Sequence, residues 1–492
     1  MPFRLNVRLL REALKISADQ CDNNTGRVTI DMLPENTLLE IFDFYLGDSE
    51  SLDLTLTTSG WHTLAHVCQK WRKAILSSPD RLKLQLLCTP TTLVQRMLDV
   101  WPPLPIVINH FGLTASEWGM HNIITALENN DRVRQIALKP IPGRQWENFM
   151  AAMSRPFPAL THLRLKSEDD QETPSDAPHS FLGGCTPNLR FLWLEHIPFP
   201  GLPNLLLSAT DLVDLRLWEI PHSGYISPEA MASCLSALTR LERLDLEFDS
   251  PESRPDLESQ RPRSSTRLVL PALTRFWFRG ASEYLDDLAA RIDAPLLQGF
   301  FIGFFHQLTF DTPHLAQFIS RTPEFRLHNR SQMLCFSDWG ASVIFLRAGT
   351  FERVLQLGVL CGQSDWQLSA LAQLCTTSIP HALVEDLSVL EESLSPPGWQ
   401  DRVEDTLWLE LLHPFTAVKN LYLSKELAPR IAASLQGLAD GRKATEALPA
   451  LQKLFLEEIR PSKLVKKAIG KFVAARRRSK HPITISQWVR KG

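Results

Sequence analysis

The chain is short of the patterns on which most enzyme chemistry is built. It has no G-x-x-x-x-G-K-S/T loop to cradle phosphate, no H-E-x-x-H pair to hold zinc, no G-x-S-x-G turn to expose a serine nucleophile and no G-x-G-x-x-G turn for a dinucleotide. No histidine and aspartate stand in a context that suggests a triad, so neither an active site nor a cofactor is expected. The cysteines, Cys21, Cys68, Cys88, Cys185, Cys234, Cys335, Cys361 and Cys375, never stand at C-x-x-C spacing. Scattered thiols in a long chain read as reduced, buried small hydrophobes in a reducing compartment. His62 and His66 are an i, i+4 pair beside Cys68, but no fourth ligand stands near, so they read as helix-face residues and no metal is expected.

No run of eighteen apolar residues occurs, and a membrane-spanning helix is not expected. The opening MPFRLNVRLLREALKIS lacks the long apolar run of a secretory signal and reads as a surface helix or a frayed end. An intracellular place, cytoplasmic or nuclear, is therefore expected. Net charge is also scarce: 52 basic against 55 acidic residues leave −3, which argues against a protein built to grip nucleic acid or an anionic membrane. What the chain has is length. At 492 residues with 44% hydrophobic side chains, it needs several units or one repeat array to bury its apolar surface.

The first patterned stretch is DMLPENTLLEIFDFYL, residues 31–46. Pro34 suits a first helical turn, and Glu35 complements the positive end of the helix. Leu38, Ile41, Phe42 and Tyr45 then recur at i, i+3, i+4 and i+7, one helical face. Leu39 and Leu46 widen that stripe, so more than one neighbour must bury it. After a polar link, WHTLAHVCQKWRKAIL places Trp61, Leu64, Ala65, Cys68, Trp71 and Ile75 on a second helical face. A unit of this size is too small to stand alone comfortably, and its exposed apolar surface calls for a partner.

These residues resemble a known family. Leu33-Pro34-Glu35, Leu38-Leu39, Ile41-Phe42, Val67-Cys68 and Trp71-Arg72 are similar to an F-box, and in particular to the F-box proteins abundant in mushroom-forming fungi. The stretches SSPDRLKLQLLCTP and LDVWPPLPIVI, at 77–90 and 98–108, resemble the segments that come after the core in that family. The resemblance implies docking onto the Skp-type adaptor of a cullin-RING ubiquitin ligase. The residues carried over are Leu33, Pro34, Glu35, Leu38, Ile41, Phe42, Val67, Cys68 and Trp71. One departure is the link at 47–60, which is longer and more polar than in the commonest F-boxes.

From about residue 130 a short bead recurs: aliphatic, two variable residues, aliphatic, one variable, aliphatic. It reads VRQIAL from Val133, LTHLRL from Leu160, LRFLWL from Leu189, LVDLRL from Leu212, LERLDL from Leu241, LTRFWF from Leu273 and LQGFFI from Leu297. After a gap come VEDLSV from Val384, VKNLYL from Val418 and LQKLFL from Leu451. The steps are 27, 29, 23, 29, 32 and 24 residues, then 34 and 33. Such spacing marks a leucine-rich-repeat-like array in which each bead is one short parallel strand. Segments 228–238 and 285–292 suit the connecting helices. The asparagine that usually stands after the bead is missing, so an irregular solenoid is expected. Between 303 and 383 no clean bead stands, and MLCFSD, SVIFLRAG and RVLQLGVL read there as degenerate repeats or an inserted hairpin. The polar segments 167–180 and 249–267 read as rim loops.

Because strand side chains alternate, the variable residue between the last two apolar positions of each bead should face the concave surface. That row is Ala137, Arg164, Trp193, Arg216, Asp245, Trp277, Phe301, Ser388, Tyr422 and Phe455. Its mixture of aromatic and charged residues is that of protein-recognition hot spots, with Arg164, Trp193, Arg216, Asp245, Trp277, Tyr422 and Phe455 the candidates for contact. For Trp193 and Trp277, ordinary packing under a neighbouring element is an equal alternative; for Phe301, inside GFFIGFF, packing is preferred. The basic run KLVKKAIGKFVAARRRSKHP reads as a last convex helix with a solvated face rather than a nuclear-import or nucleic-acid site, and ITISQWV as a closing strand.

The fold expected is α/β: a small all-α F-box module at 31–78 after an extension at 1–30, a connecting segment and cap at 79–130, and an irregular leucine-rich-repeat-like solenoid over 131–492. The function expected is substrate recognition for an SCF-type ligase, with the Skp-type adaptor, cullin through it, and an unidentified target protein as partners. A repeat scaffold outside any ligase is the alternative.

Overall fold

The structure is a computed structural model that describes residues 33–46, 60–111, 117–141, 143–167, 177–255, 267–307, 309–327, 330–347, 350, 352–377, 383–392, 405–438, 446–457 and 463–490. The extension at 1–30, the link at 47–59 and most of the two polar rim segments lie outside the described residues.

Three helices come first: α1 (Glu35–Leu46), α2 (Trp61–Ala65) and α3 (Gln69–Ser77). The first helix starts where Pro34 leaves its carbonyl free for the Leu38 N–H at 3.1 Å. The i, i+4 pair Leu38 and Phe42 is wholly buried, and Phe42 meets Trp71 of α3 edge to face at 4.8 Å. Polar ties hold the same contact: Ser77 donates to Glu35 at 3.0 Å and Lys70 to the Leu33 carbonyl at 3.1 Å. Cys68 caps α3, its sulfur accepting from the Trp71 N–H at 3.5 Å.

Most of the remaining described residues are built on one sheet of sixteen strands. Its strands are β1 (Leu86–Cys88), β2 (Ile106–Phe111), β3 (Val133–Ile141), β4 (His162–Ser167), β5 (Phe191–Glu195), β6 (Asp214–Ile220), β7 (Arg243–Phe248), β9 (Arg275–Gly280), β11 (Gly299–Phe305), β12 (Ser331–Ser337), β13 (Gly340–Leu346), β14 (Arg353–Leu360), β15 (Asp386–Glu391), β16 (Asn420–Leu423), β17 (Lys453–Leu456) and β18 (Thr484–Gln487). A separate two-stranded ladder joins β8 (Leu268–Val269) to β10 (Ile292–Asp293). Every bead read from the sequence is a strand, and segment 79–130 supplies the first two strands. Helices such as α8 (Pro228–Leu235), α9 (Ser282–Arg291) and α15 (Lys463–Arg478) return the chain to the start of the next strand. Of the other helices, α4 (Val94–Val100), α5 (Glu117–Leu127), α6 (Gly143–Ala152) and α7 (Leu202–Ser208) lie between β1 and β6, and α10 (Pro313–Arg321), α11 (Pro323–Leu327), α12 (Ser364–Thr377), α13 (Asp405–Leu412) and α14 (Ala428–Gly437) between β11 and β17. No helix among the described residues is long and apolar enough to cross a membrane.

A parallel strand buries alternate residues under its connecting helix, and register keeps those residues aligned. Leu163, Leu192, Leu215, Leu244, Phe276, Phe300 and Leu355 face one another in a single row across β4 to β14, all buried. Under the middle of the sheet this row becomes aromatic: Phe276 stacks on Phe300 at 5.0 Å, and Phe248 and Phe278 close on Tyr284 of α9. The last helix obeys the same rule. Val465, Ala468, Ile469 and Phe472 are buried, and Arg476 is drawn under as well, donating to the Pro449 and Leu451 carbonyls at 3.0 and 3.1 Å.

The sheet departs from a simple array at one place. Its order runs β11-β14-β13-β12-β15, so the three strands of the gap region enter in reverse. β12 and β14 stay parallel to their outer neighbours and β13 runs antiparallel between them. The gap therefore holds an inserted meander, one strand longer than a hairpin. At the start of β13 the neighbouring strand leaves no room for a side chain: a Cβ on Gly340 would stand 2.1 Å from the Val359 carbonyl oxygen of β14.

The helices meet the sheet through Trp61, whose Nε1–H donates to the Gln85 carbonyl at 2.9 Å while its ring packs on His62 and Trp101. We expect Trp61→Ala to destabilise the chain by about 3–5 kcal/mol through the cavity it leaves. Trp61→Phe, losing mainly the hydrogen bond, is expected to cost about 1 kcal/mol. Equilibrium denaturant unfolding of both variants checks the order, and equal losses would contradict it.

Candidate functional site

The face opposite the helices carries the candidate binding residues. Ala137, Arg164, Trp193, Arg216, Asp245, Trp277 and Phe301 stand opposite one another in register from β3 to β11. The row passes through Gln356, Ile344 and Met333 of the meander to Ser388, Tyr422 and Phe455. One register thus joins all the beads' variable positions, although their chemistry divides them.

On β4 to β7 the row answers its own needs. The Arg164 guanidinium lies 3.3 Å from the centre of the Trp193 ring, which also meets Trp218 at 4.6 Å. Trp193 is left 8% exposed, so packing is its role in the free chain. Arg216 forks onto Asp214 at 2.9 and 2.7 Å, and buried Asp245 is held by Arg243 at 2.8 Å. Farther on, Tyr422 stacks on Phe455 at 4.4 Å and Trp488 stands across them, its indole N–H on the Leu423 carbonyl at 3.3 Å. Arg490 comes next, donating to the Glu391 carbonyl at 3.0 Å. The residues after β18 thereby turn back over this face and cover the small cluster of Cys335, Ile344 and Leu390.

Between these covered stretches the face is open. Trp277 is 43% exposed, with Phe301 as its ring neighbour at 6.1 Å. Beside it lies a cleft of about 220 Å³ at the join of β9, β11, β14 and β13. Its floor is a row of small residues, Gly303, Gly358 and Ser342, facing one another across three strands. Trp277, Phe301, Arg279, Trp339 and Glu392 form the walls. A Cβ on Gly303 would meet nothing nearer than 3.9 Å, and its φ is not left-handed, so neither packing nor backbone demands glycine there. The missing side chain is simply space. Trp339, at the tip of the meander, is 82% exposed.

Burial pushes the Cys335 thiol far above its ordinary value, which keeps it protonated. Burial likewise raises the Glu247 pKa, with its partner Arg279 opposing. No group of three or more potential metal ligands stands together among the described residues. Sequence reading named Trp277 and Phe301 here and missed Arg279, Gly303, Trp339, Ser342 and Gly358. The available signal was the alternation in RFWFRG and GFFIGFF, one strand large at every second position and the next small on either side of Phe301.

At the N-terminal helices the residues carried over from the F-box resemblance split in two. Leu38 and Phe42 are fully buried and Trp71 is 9% exposed, so these build the unit. Pro34, Glu35 and Val67 are exposed, and Leu33, Ile41 and Cys68 are half-buried at the surface. Phe44 and Tyr45 are exposed too, at 81% and 47%.

Burial differences set two expected outcomes. Trp193→Ala should cost about 3 kcal/mol of stability and Trp277→Ala under about 1, since only the first ring is enclosed; urea midpoints check this. The second concerns His162, whose pKa is held below the ordinary 6.5 by burial first and by Arg190 and Arg134 next, with Asp214 opposing. Unfolded chain binds that proton more readily than folded chain, so stability is full above about 6.5 and falls as pH drops through it. His162→Gln should lose part of that fall between about pH 8 and pH 5.5, and an unchanged slope would count against the assignment.

No protein-family profile matches the chain, and no curated protein matches it. Among solved structures, the chain is similar to the leucine-rich repeat-containing protein LegL7 from Legionella pneumophila, at 12% identity and a TM-score of 0.26, over 79% of this chain and 97% of that one.

Proposed function

We propose that the chain is the substrate-recognition subunit of an SCF-type ubiquitin ligase, its N-terminal helices an F-box of the kind found in mushroom-forming fungi. In this reading residues 31–78 dock the Skp-type adaptor, the adaptor brings the cullin, and the open face of the sheet holds a target protein. The chain supplies orientation and other subunits supply the chemistry, so its contribution to rate is proximity. Its place is cytoplasmic or nuclear, where the ligase works.

The observation that carries the reading is the division of the helical unit. Leu38, Phe42 and Trp71 are spent on its core, while Pro34, Glu35, Val67, Phe44 and Tyr45 are left outside. Exposed apolar side chains on so small a unit fit a surface that a partner covers. The alternative, a repeat scaffold outside any ligase, leaves those side chains without a use.

The test is binding of the purified chain to a purified fungal Skp-type adaptor and cullin. Val67→Asp and Pro34→Ala change exposed residues, and each should weaken adaptor binding by about ten-fold or more while leaving the thermal midpoint in place. Trp71→Ala is uninformative here because it empties the core. If the unaltered chain fails to bind the adaptor at micromolar concentration, the ligase assignment is wrong.

A further inference from the structure

We propose that the cleft beside Trp277 receives an extended peptide segment of the target with a bulky apolar residue at its centre and an acidic residue two positions away on each side. The inference rests on the reading that the open face binds a protein, and it names that protein's recognised chemistry.

β9 presents Arg275, Trp277 and Arg279 on the open face, at i, i+2 and i+4. Opposite them in register β11 presents Gly299, Phe301 and Gly303. The aromatic residues meet in the middle, and each arginine faces a position with no side chain. The Arg275 side chain is exposed and makes no ion pair or hydrogen bond among the described residues. Arg279 holds Glu247 through one terminal nitrogen, while its buried Nε has no partner. Glu392, the carboxylate of the cleft wall, is already held by Arg353 at 3.3 Å and Arg490 at 3.8 Å. Glu247 and Glu392 are thus committed, and the charge left unpaired beside the indole is that of Arg275.

Spacing then selects the ligand. Residues two apart on a strand are about 6.6 Å apart, so the arginines flank the indole at about that distance on either side. An extended peptide repeats the same period, placing two acids over the arginines when an apolar residue sits over Trp277. The cleft, at about 220 Å³, has room for one large side chain and is smaller than the roughly 300–1,000 Å³ of a small-molecule site. Single-stranded nucleic acid could also stack on the indole, but a chain of net charge −3 with so few free cations here favours the peptide.

The test uses the full chain and a fluorescein-labelled peptide, Gly-Glu-Ser-Phe-Ser-Glu-Gly, read by fluorescence polarisation. Replacing its phenylalanine with alanine, or both its glutamates with lysine, should weaken binding by about ten-fold. In the protein, Gly303→Leu fills the cleft and Arg275→Glu reverses the exposed charge; each should weaken the peptide by about ten-fold, and Arg275→Glu should improve the lysine peptide. Adaptor binding should be the same in all three proteins. The proposal is overturned if the unaltered chain does not bind the glutamate peptide, if both variants bind it normally, or if an oligothymidine binds at the cleft in its place. Peptide binding without adaptor binding would instead sink the ligase reading and leave this one standing.

Discussion

Register between neighbouring strands is the constraint on which the rest of this chain depends. Side chains on a strand alternate between faces, so a slip of one residue at any pairing would send leucines to water and arginines beneath a helix. Across β4 to β14 no such slip occurs: bulges lie at the strand ends, after Leu138 and Leu217, and the row from Leu163 to Leu355 stays under the helices. Apolar burial on one face thereby positions the other. Arg164, Trp193, Arg216 and Asp245 become lateral neighbours because the leucines on either side of each were aligned first.

The reversed meander shows what the same constraint permits. β13 runs against its neighbours, yet Val343 and Phe345 still reach the helix face and Ser342 and Ile344 the open one. A change of direction is tolerable where a change of face is not. The cost is local, a glycine at 340 where the β14 backbone leaves no room for a side chain, and the result is a discontinuity in an otherwise repetitive surface. Here the row of long side chains gives way to Gly303, Gly358 and Ser342, and Trp339 is carried out on the turn. Ligand sites in open α/β sheets gather beyond the carboxyl ends of strands where the order changes. This cleft lies beside such ends, those of β12, β14 and β15.

Much of the architecture was legible because its cause is local. A bead of three aliphatic residues at fixed spacing becomes a strand wherever a helix can cover it, so every bead marked one. Segments 331–337, 340–346 and 353–360 were legible as strands for the same reason, but not their order, which depends on pairings between distant stretches. The candidate residues divide along the same line. That Trp193 and Trp277 share a face follows from alternation alone. That Trp193 is enclosed and Trp277 open depends on Trp218 and Arg164 beside one and Gly299 and Gly303 beside the other. In the N-terminal helices, spacing identified the apolar stripe but could not separate Phe42, which is core, from Tyr45, which is surface.

The two stretches of the open face therefore differ in what they leave unpaired, and charge pairing explains why. Between β4 and β7, Asp214 and Asp245 are answered by Arg216 and Arg243, and the rings lie beneath guanidinium groups. A partner docking there would have to break charge-assisted bonds already made, recovering little beyond what it destroys. Around Trp277 the aromatic surface is bare and Arg275 has no counter-charge, so a ligand there has only the Arg279–Glu247 pair to share. Recognition is best placed where the free protein has left interactions unmade, and on this face that is the ground between β9 and the meander.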